Sequence, residues 1–175
     1  ACYYEGIKSG AFKPPVIATP CPSVVQFIEL HHPRLLRYLA PVGSPVYNLS
    51  VYVRSLHPGA ELAFISPCLA KRREFQESRM VDYNVTYRSL QKILQEKDIE
   101  LDLLEDSKFD GGVMAGITTN FSSAGGLKES FLYHYPEIPA SKIVKVDGPF
   151  VFNSYLDNLE KAIAEESEHL PLLVD

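Results

Sequence analysis

Residues 17–22 read Ile-Ala-Thr-Pro-Cys-Pro and residues 64–69 read Phe-Ile-Ser-Pro-Cys-Leu, so one local pattern occurs twice, with its cysteines 47 residues apart. Each copy combines an apolar strand, a hydroxyl-bearing residue, a Pro-Cys pair and the start of an expected helix. In an open α/β sheet, ligands bind beyond the carboxyl ends of the strands. The repeated pattern therefore predicts that Cys21 and Cys68 lie together at the edge of one crevice.

We call these two segments, residues 17–22 and 64–69, the Pro-Cys junctions. The chemistry expected at them is metal binding by thiolate. A helix N-terminus carries a partial positive charge, which favours the thiolate form of a nearby cysteine. The prolines lack an N–H group and restrict the backbone, which helps to hold each sulfur in place. Two cysteines this far apart are not a zinc signature, and two thiolates do not complete a four-ligand cluster site. The alternative is that each cysteine is a small buried apolar residue, the commonest role of a lone cysteine.

Outward from these junctions, apolar spacing predicts strands that alternate with helices. The predicted strands are residues 16–19, 62–66, 143–146 and 170–174. Two helices are predicted at residues 24–39, with an interruption near Pro33, and at residues 151–164. Two more are predicted from their caps: one begins after Thr86, and one begins after Ser122 or Ser123 and includes Leu127, Phe131 and Leu132. Strands alternating with helices indicate an α/β fold with one or more mostly parallel sheets flanked by helices, and with the ligand crevice at the carboxyl ends of the strands. Tyr87, Leu90, Ile93 and Leu94 are expected to face inward from the helix after Thr86, and Val151, Tyr155 and Leu159 from the last helix.

The composition narrows the function classes. The chain has 175 residues, 46% of them apolar and 22% charged, which is typical of one globular domain. Its formal charge of −5 argues against a nucleic-acid binder, which normally has a basic face. No apolar run approaches the roughly 18 residues of a membrane span, and no signal peptide is visible. We therefore expect a cytoplasmic protein with no nucleic-acid or membrane partner. The start without Met and the apolar end at residues 170–174 predict a piece of a longer protein.

Several segments resemble the iron-only hydrogenases. Residues 19–29, followed by Pro33, resemble the first cluster motif of that family, and residues 64–72 resemble the second. Ser44-Pro45, residues 82–88 and residues 123–127 are similar to further segments of the cluster-binding domain. The resemblance extends from about residue 16 to residue 175. It implies that the chain is cut just before a third motif, which carries two more cysteines in that family.

The resemblance implies a role for particular side chains. Cys21 and Cys68 would be two of the four thiolates that hold a 4Fe-4S cluster linked to a two-iron subcluster. Lys71 would contact a cyanide ligand of the two-iron part. The remaining cofactor-binding positions implied are Ser44, Pro45, Gly125 and Gly126. From the residues alone, Lys71 is better explained as a solvated lysine in the first turn of a helix, and the glycine pair is equally a tight turn at a helix start. As isolated, the chain is expected to carry no complete cluster and to be inactive.

Three departures from the family pattern concern proton transfer. Catalytic members have a cysteine that relays protons at the position of Pro20, a serine at the position of Ala40 and a polar residue at the position of Val46. This pattern resembles the sensory branch of the family. It implies a hydrogen- or redox-sensing protein of an anaerobe with weak or no hydrogen turnover. Its partner would be a ferredoxin-like electron carrier, or fused ferredoxin or regulatory domains. The alternatives are a non-catalytic iron–sulfur protein, such as an assembly factor of the same superfamily, and a plain α/β interaction domain with structural cysteines.

Overall fold

The computed structural model describes residues 2–107 and 116–175, in which helices alternate with short strands. The helices are α1 (Cys2–Lys8), α2 (Pro22–His31), α3 (Pro45–Leu56), α4 (Lys71–Ser78), α5 (Tyr87–Glu96), α6 (Gly126–His134) and α7 (Pro149–Ala164). The strands are β1 (Val16–Ile17), β2 (Ala63–Ile65), β3 (Tyr83–Val85), β4 (Ile143–Val144) and β5 (Leu173–Val174). Short 3₁₀ helices cover Pro33–Tyr38, Leu101–Leu103, Gly116–Ser122 and Ala140–Lys142.

The strands form two separate parallel sheets. One sheet has the order β1-β5-β4, with Val16 opposite Leu173 and Ile143 opposite the same leucine. The other sheet consists of β2 and β3 alone. The α/β class and the parallel sheets are confirmed. The strands that lead to the two cysteines, β1 and β2, belong to different sheets. The edge of β1 that does not pair with β5 forms an isolated bridge from Ile17 to Leu39.

The described residues divide into two compact units. The three-stranded unit comprises residues 2–19, 23–42 and 116–175, and the two-stranded unit comprises residues 20–22 and 43–107. In the three-stranded unit, alternate residues of each strand enter two different apolar cores. Val16 and Leu173 join Leu127 and Phe131 of α6 on one face of the sheet. The opposite-facing strand residues, Ile17 and Val174, join side chains of α2 and α7: Ile28, Leu156 and Leu159.

The two-stranded unit is held together by smaller apolar contacts and by polar ones. Phe64 of β2 and Phe75 of α4 meet edge to face, with ring centroids 5.6 Å apart. Arg54 of α3 donates to the Met80 carbonyl at 3.0 Å and to the Asp82 carboxylate at 2.8 Å. These bonds attach α3 to the turn between α4 and β3. None of the described helices is long and apolar enough to cross a membrane.

Local sequence signals explain several element boundaries. Pro33 separates α2 from the 3₁₀ helix that follows, as expected from its effect on the preceding residue. Thr86 is the N-cap of α5, and its hydroxyl accepts from the Ser89 N–H at 3.1 Å, which confirms that prediction. The cap predicted for α6 at Ser122 or Ser123 is wrong. Gly125 occupies the N-cap, with a left-handed φ of 87° that a glycine adopts without strain.

Some predicted inward faces are also wrong. Val151 is 61% exposed because the inward positions of α7 are Leu156 and Leu159, which lie further along the helix. Tyr87 and Ile93 of α5 are likewise exposed. No residue of that helix is fully buried. The elements α1, α3 and β3 were not expected from the sequence.

Candidate cofactor site

The first Pro-Cys junction is held at the carbonyl of its proline. Cys21 immediately precedes α2, whose first residue is Pro22, so the cysteine lies at a helix N-terminus as predicted. Its thiol is free and half-buried. The carbonyl oxygen of Pro20 accepts a hydrogen bond of 2.9 Å from the Lys71 ammonium. The junction is therefore tied to α4 through its backbone.

The second Pro-Cys junction is held on both sides of its cysteine. The Cys68 N–H donates to the buried Ser66 hydroxyl at 3.2 Å, and the Asn84 amide donates to the Cys68 carbonyl at 3.3 Å. The Cys68 thiol is free and half-buried, like that of Cys21. Helix α4 starts at Lys71, three residues further on. The backbone of Cys68 is thus fixed while its sulfur has no covalent partner.

Lys71 is the residue that joins the two junctions. It is only 9% exposed, so its interpretation as a solvated lysine is wrong. Besides its bond to Pro20, the ammonium forms an ion pair of 2.7 Å with the carboxylate of Glu74, one helical turn along α4. Cys68 lies three residues before this lysine, and Cys21 directly follows its carbonyl partner. A buried cation is therefore fixed between the two cysteine-bearing segments.

Ser44 belongs to the same polar cluster. Its hydroxyl accepts from the Tyr47 N–H at 3.1 Å as the N-cap of α3 and donates to the carboxylate of Glu74. Pro45 is the first residue of that helix, where a missing N–H costs nothing. Sequence reasoning missed Glu74. The signal that could have found it is its spacing of three residues from Lys71, which places two side chains on one face of a helix.

Gly125 and Gly126 lie in the three-stranded unit, at the start of α6. A side chain on Gly126 would place its Cβ 1.9 Å from the Asn120 carbonyl oxygen, so the close approach of two backbone segments requires glycine there. Together with the left-handed conformation of Gly125, this agrees with the tight-turn interpretation. Binding of a cofactor by this pair stays a prediction.

Thr19 precedes the first junction and is anchored within the three-stranded unit. Its hydroxyl lies 3.1 Å from the carbonyl oxygens of both Ala40 and Val42, and its N–H donates to the Tyr3 hydroxyl at 3.2 Å. Burial raises the pKa of Tyr3, although the hydrogen bond from Thr19 opposes that shift. The phenol therefore stays neutral at physiological pH and fixes the end of β1.

The donor set fits part of a metal cluster. Among the described residues, no group of three or more His, Cys, Asp or Glu side chains is placed to hold a metal ion. The two free thiols can supply two ligands, and the chain contains one further cysteine, Cys2, which is exposed on α1. A cluster with four thiolate ligands thus needs a ligand from outside these 175 residues.

Comparison with known proteins identifies the family. The model of the iron-only hydrogenase large subunit, C-terminal domain, matches residues 2–168, and the chain belongs to this family. It is 27% identical over 150 residues to the NADP-reducing hydrogenase subunit HndD of Solidesulfovibrio fructosivorans, an alignment covering 76% of this chain and 26% of that protein. It is 26% identical over 135 residues to iron hydrogenase 1 of Clostridium pasteurianum, covering 67% of this chain and 24% of that one.

A solved structure supports the same fold. A chain from a study of oxygen inactivation and degradation of the two-iron subcluster in FeFe-hydrogenase matches with a TM-score of 0.50 and 23% identity. The match covers 55% of this chain and 27% of that one. The chain therefore spans about a quarter of the length of the relatives it matches. It is a hydrogenase-like domain whose two Pro-Cys junctions lie within the matched region.

Proposed function

We propose that this chain is part of a hydrogenase-type cluster-binding domain, in which Cys21 and Cys68 supply two of four thiolate ligands to a 4Fe-4S cluster. The observation that carries the proposal is the buried Lys71, which bonds to the backbone of one Pro-Cys junction from a position three residues after the other. A structural cysteine needs no such cation beside it. A negatively charged cluster with thiolate ligands gives the ammonium an anionic acceptor for the N–H donor that Pro20 and Glu74 leave unused.

Each residue of the site has a distinct part in this proposal. Cys21 and Cys68 bind iron as thiolates, and the remaining ligands come from outside these 175 residues. Lys71 has three N–H donors, of which two are used by Pro20 and Glu74, so one donor is left for an anionic ligand of the two-iron part. When bound, the cluster supplies electron transfer to and from hydrogen.

We further propose a sensory role with weak hydrogen turnover. Proton delivery requires groups that each accept and donate a proton within hydrogen-bond distance. Pro20 has no proton to give, and its carbonyl already accepts from Lys71. Ala40 is buried, and its N–H is used by the Ile17 carbonyl. Neither position can take part in a proton path through its side chain.

The proposed sensory role also requires an electron partner. A sensor that does not turn over hydrogen must pass its redox state to another protein or domain. We propose a ferredoxin-like carrier, or ferredoxin or regulatory domains in the same polypeptide. One of the relatives is named as a subunit of an NADP-reducing hydrogenase, so a multi-subunit arrangement has a precedent within the family.

The test uses the natural gene product that contains these 175 residues, purified without oxygen. We expect iron and acid-labile sulfide in stoichiometric amounts, and a cluster signal in the electron paramagnetic resonance spectrum after reduction. Hydrogen evolution with a chemical reductant should be about 10²–10⁴-fold slower than in a catalytic relative, the usual value of a positioned proton-transfer group. Absence of iron would exclude the cluster. Turnover within about tenfold of the relative would exclude the sensory role.

A further inference from the structure

We propose that Glu74 is a positioning residue, which holds Lys71 on the Pro20 carbonyl and so fixes the two Pro-Cys junctions beside each other before any metal binds. The inference rests on the proposed function and extends it, because it makes the site preassembled by the polypeptide rather than shaped by the metal. The side-chain hydrogen bonds of Glu74 go to Lys71 and Ser44. Glu74 acts through the lysine.

The geometry of the ion pair supports this role. The side chains of Lys71 and Glu74 are 11% and 17% exposed, and their charged atoms are 2.7 Å apart. They are three residues apart on α4, so the helix places both on one face. Water competes weakly for a pair with so little exposure, and this makes the pair a firmer contact than an exposed ion pair. The exposed pair Arg73–Glu77 on the same helix illustrates the difference, with side chains 42% and 63% exposed.

Glu74 is in turn held at both of its carboxylate oxygens. Oε2 accepts from Lys71, and Oε1 accepts from the Ser44 hydroxyl. Ser44 is immobilised as the N-cap of α3 and is only 6% exposed. The chain of contacts therefore runs from the start of α3 through Glu74 and Lys71 to the backbone of the Cys21 junction. Contacts from the starts of two helices, rather than one flexible side chain, set the position of the ammonium.

The carboxylate is needed because the lysine is charged. An ammonium group with little exposure to water is costly unless an anion compensates it. Without Glu74, the long lysine side chain can extend its ammonium into solvent. The Pro20 carbonyl would then lose its partner, and the Cys21 junction would lose its tie to α4. The separation of Cys21 and Cys68 would no longer be fixed.

The first experiment uses the 175-residue chain without metal, in a Cys2→Ser background that leaves only Cys21 and Cys68. A bifunctional thiol reagent spanning about 12 Å, a separation that one cluster and its ligands bridge, is added to dilute protein. We expect an intramolecular cross-link between the two cysteines, identified by mass spectrometry. Glu74→Gln should lower its yield several-fold. Glu77→Gln, the matched control on the same helix, should leave it unchanged.

A second variant separates positioning from stability. In Lys71→Met/Glu74→Gln both charges are absent, so this variant, unlike Glu74→Gln, contains no uncompensated buried ion at this position. We expect unfolding close to that of the parent chain, together with the low cross-link yield of Glu74→Gln. Equal yields in Glu74→Gln and Glu77→Gln would overturn the inference. So would a high yield in the double variant, or the absence of the cross-link in the parent chain.

Measurements on the natural gene product distinguish this inference from the proposed function. If the unsubstituted protein contains no iron, the cluster proposal fails whatever the cross-linking shows. If it contains iron, Glu74→Gln should lower the iron content and shift the reduction potential of the remaining cluster to more positive values, because one negative charge near Lys71 is removed. An unchanged potential and iron content would overturn the role of Glu74 while leaving the cluster in place.

Discussion

The two units of the chain stabilise their parallel sheets in different ways. Among the described residues, the fully buried apolar side chains lie in the three-stranded unit, with two exceptions, Phe75 and Val81. The buried polar side chains are distributed in the opposite sense. Those of the two-stranded unit are Ser44, Ser50, Ser66 and Lys71, and those of the three-stranded unit are His32 and Ser130.

This contrast indicates that the two units contribute differently to stability and to the positioning of side chains. The sheet with apolar cores on both faces supplies the stability, because burial of apolar area is the main favourable term in folding. The two-stranded unit has little apolar core and relies on hydrogen bonds and ion pairs with defined geometry. Such contacts contribute less net stability, but they fix positions, and an unmatched one is costly. The predicted cysteine ligands lie in the unit that is held in this second way.

The largest expected effect is on the apolar side of the comparison. Leu156 of α7 has no exposed surface and packs in one of the two cores of the three-stranded unit. Leu156→Ala should lower the free energy of unfolding by about 2–5 kcal/mol, from lost transfer energy and the cavity left behind. Urea unfolding measures this. Val151→Ala on the exposed side of the same helix should change it by less than about 0.5 kcal/mol. Equal effects would show that α7 does not pack as described.

The polar contacts of the two-stranded unit predict a smaller loss of stability, which a second substitution reverses. Lys71→Met leaves Glu74 and the Pro20 carbonyl without their cation and should cost about 1–3 kcal/mol. Adding Glu74→Gln should recover most of that loss, because the uncompensated carboxylate is then absent. The same unfolding measurement applies. Strictly additive losses in the double variant would contradict the coupling of the pair.

The helix cap in the two-stranded unit provides a third prediction. Thr86→Ala removes the acceptor for the Ser89 N–H at the start of α5 and should cost about 1 kcal/mol. Gln91→Ala, at an exposed position of the same helix, is the control and should leave stability nearly unchanged. Loss of helical circular dichroism should accompany only the first substitution. A neutral Thr86→Ala variant would mean that the cap contributes nothing.

The smallest expected effect concerns pH and lies in the three-stranded unit. Burial raises the pKa of Asp175, although hydrogen bonding to the Lys128 N–H and the charge of Lys145 oppose the shift. The folded state therefore binds more protons than the unfolded state between the ordinary carboxyl pKa and this raised value. Stability should decrease as pH rises through that window.

Asp175→Asn tests this sign. The amide keeps an acceptor for the Lys128 N–H but does not titrate. The stability of the Asp175→Asn variant should therefore change less across the acidic range than that of the parent chain. Unfolding at a series of pH values measures the difference. Asp147→Asn, at an exposed carboxylate, should reproduce the parent profile. A parent chain that gains stability as pH rises through the window would contradict the raised pKa.

The sequence predicted the three-stranded unit better than the two-stranded one, and the reason is physical. Apolar periodicity identified β1, β4, β5 and α7 because these elements bury apolar residues. Helix α3 was missed because its apolar residues, such as Leu49 and Tyr52, are exposed, while its buried residue is Ser50. A pattern method that looks for an inward apolar face has nothing to find in such a helix.

The candidate site was predicted in the same uneven way. The family resemblance drew attention to Ser44 and Lys71, and the structure places them in one polar cluster. Glu74, which connects them, was missed because a glutamate near a lysine on a charged helix reads as a surface ion pair. Its burial is a tertiary property, in which Ser44 at the start of α3 contacts Glu74 on α4. The local sequence cannot show it.

The central claim is that Cys21 and Cys68, and not Cys2, hold iron. It is tested most directly by iron and acid-labile sulfide analysis of the natural gene product, purified without oxygen, with each cysteine replaced in turn by serine. Cys21→Ser and Cys68→Ser should each lose most of the iron and sulfide, since removal of one thiolate leaves a cubane incompletely ligated. Cys2→Ser should retain both in full. Stoichiometric iron and sulfide in Cys21→Ser or Cys68→Ser would contradict the account, as would their absence from the unsubstituted protein.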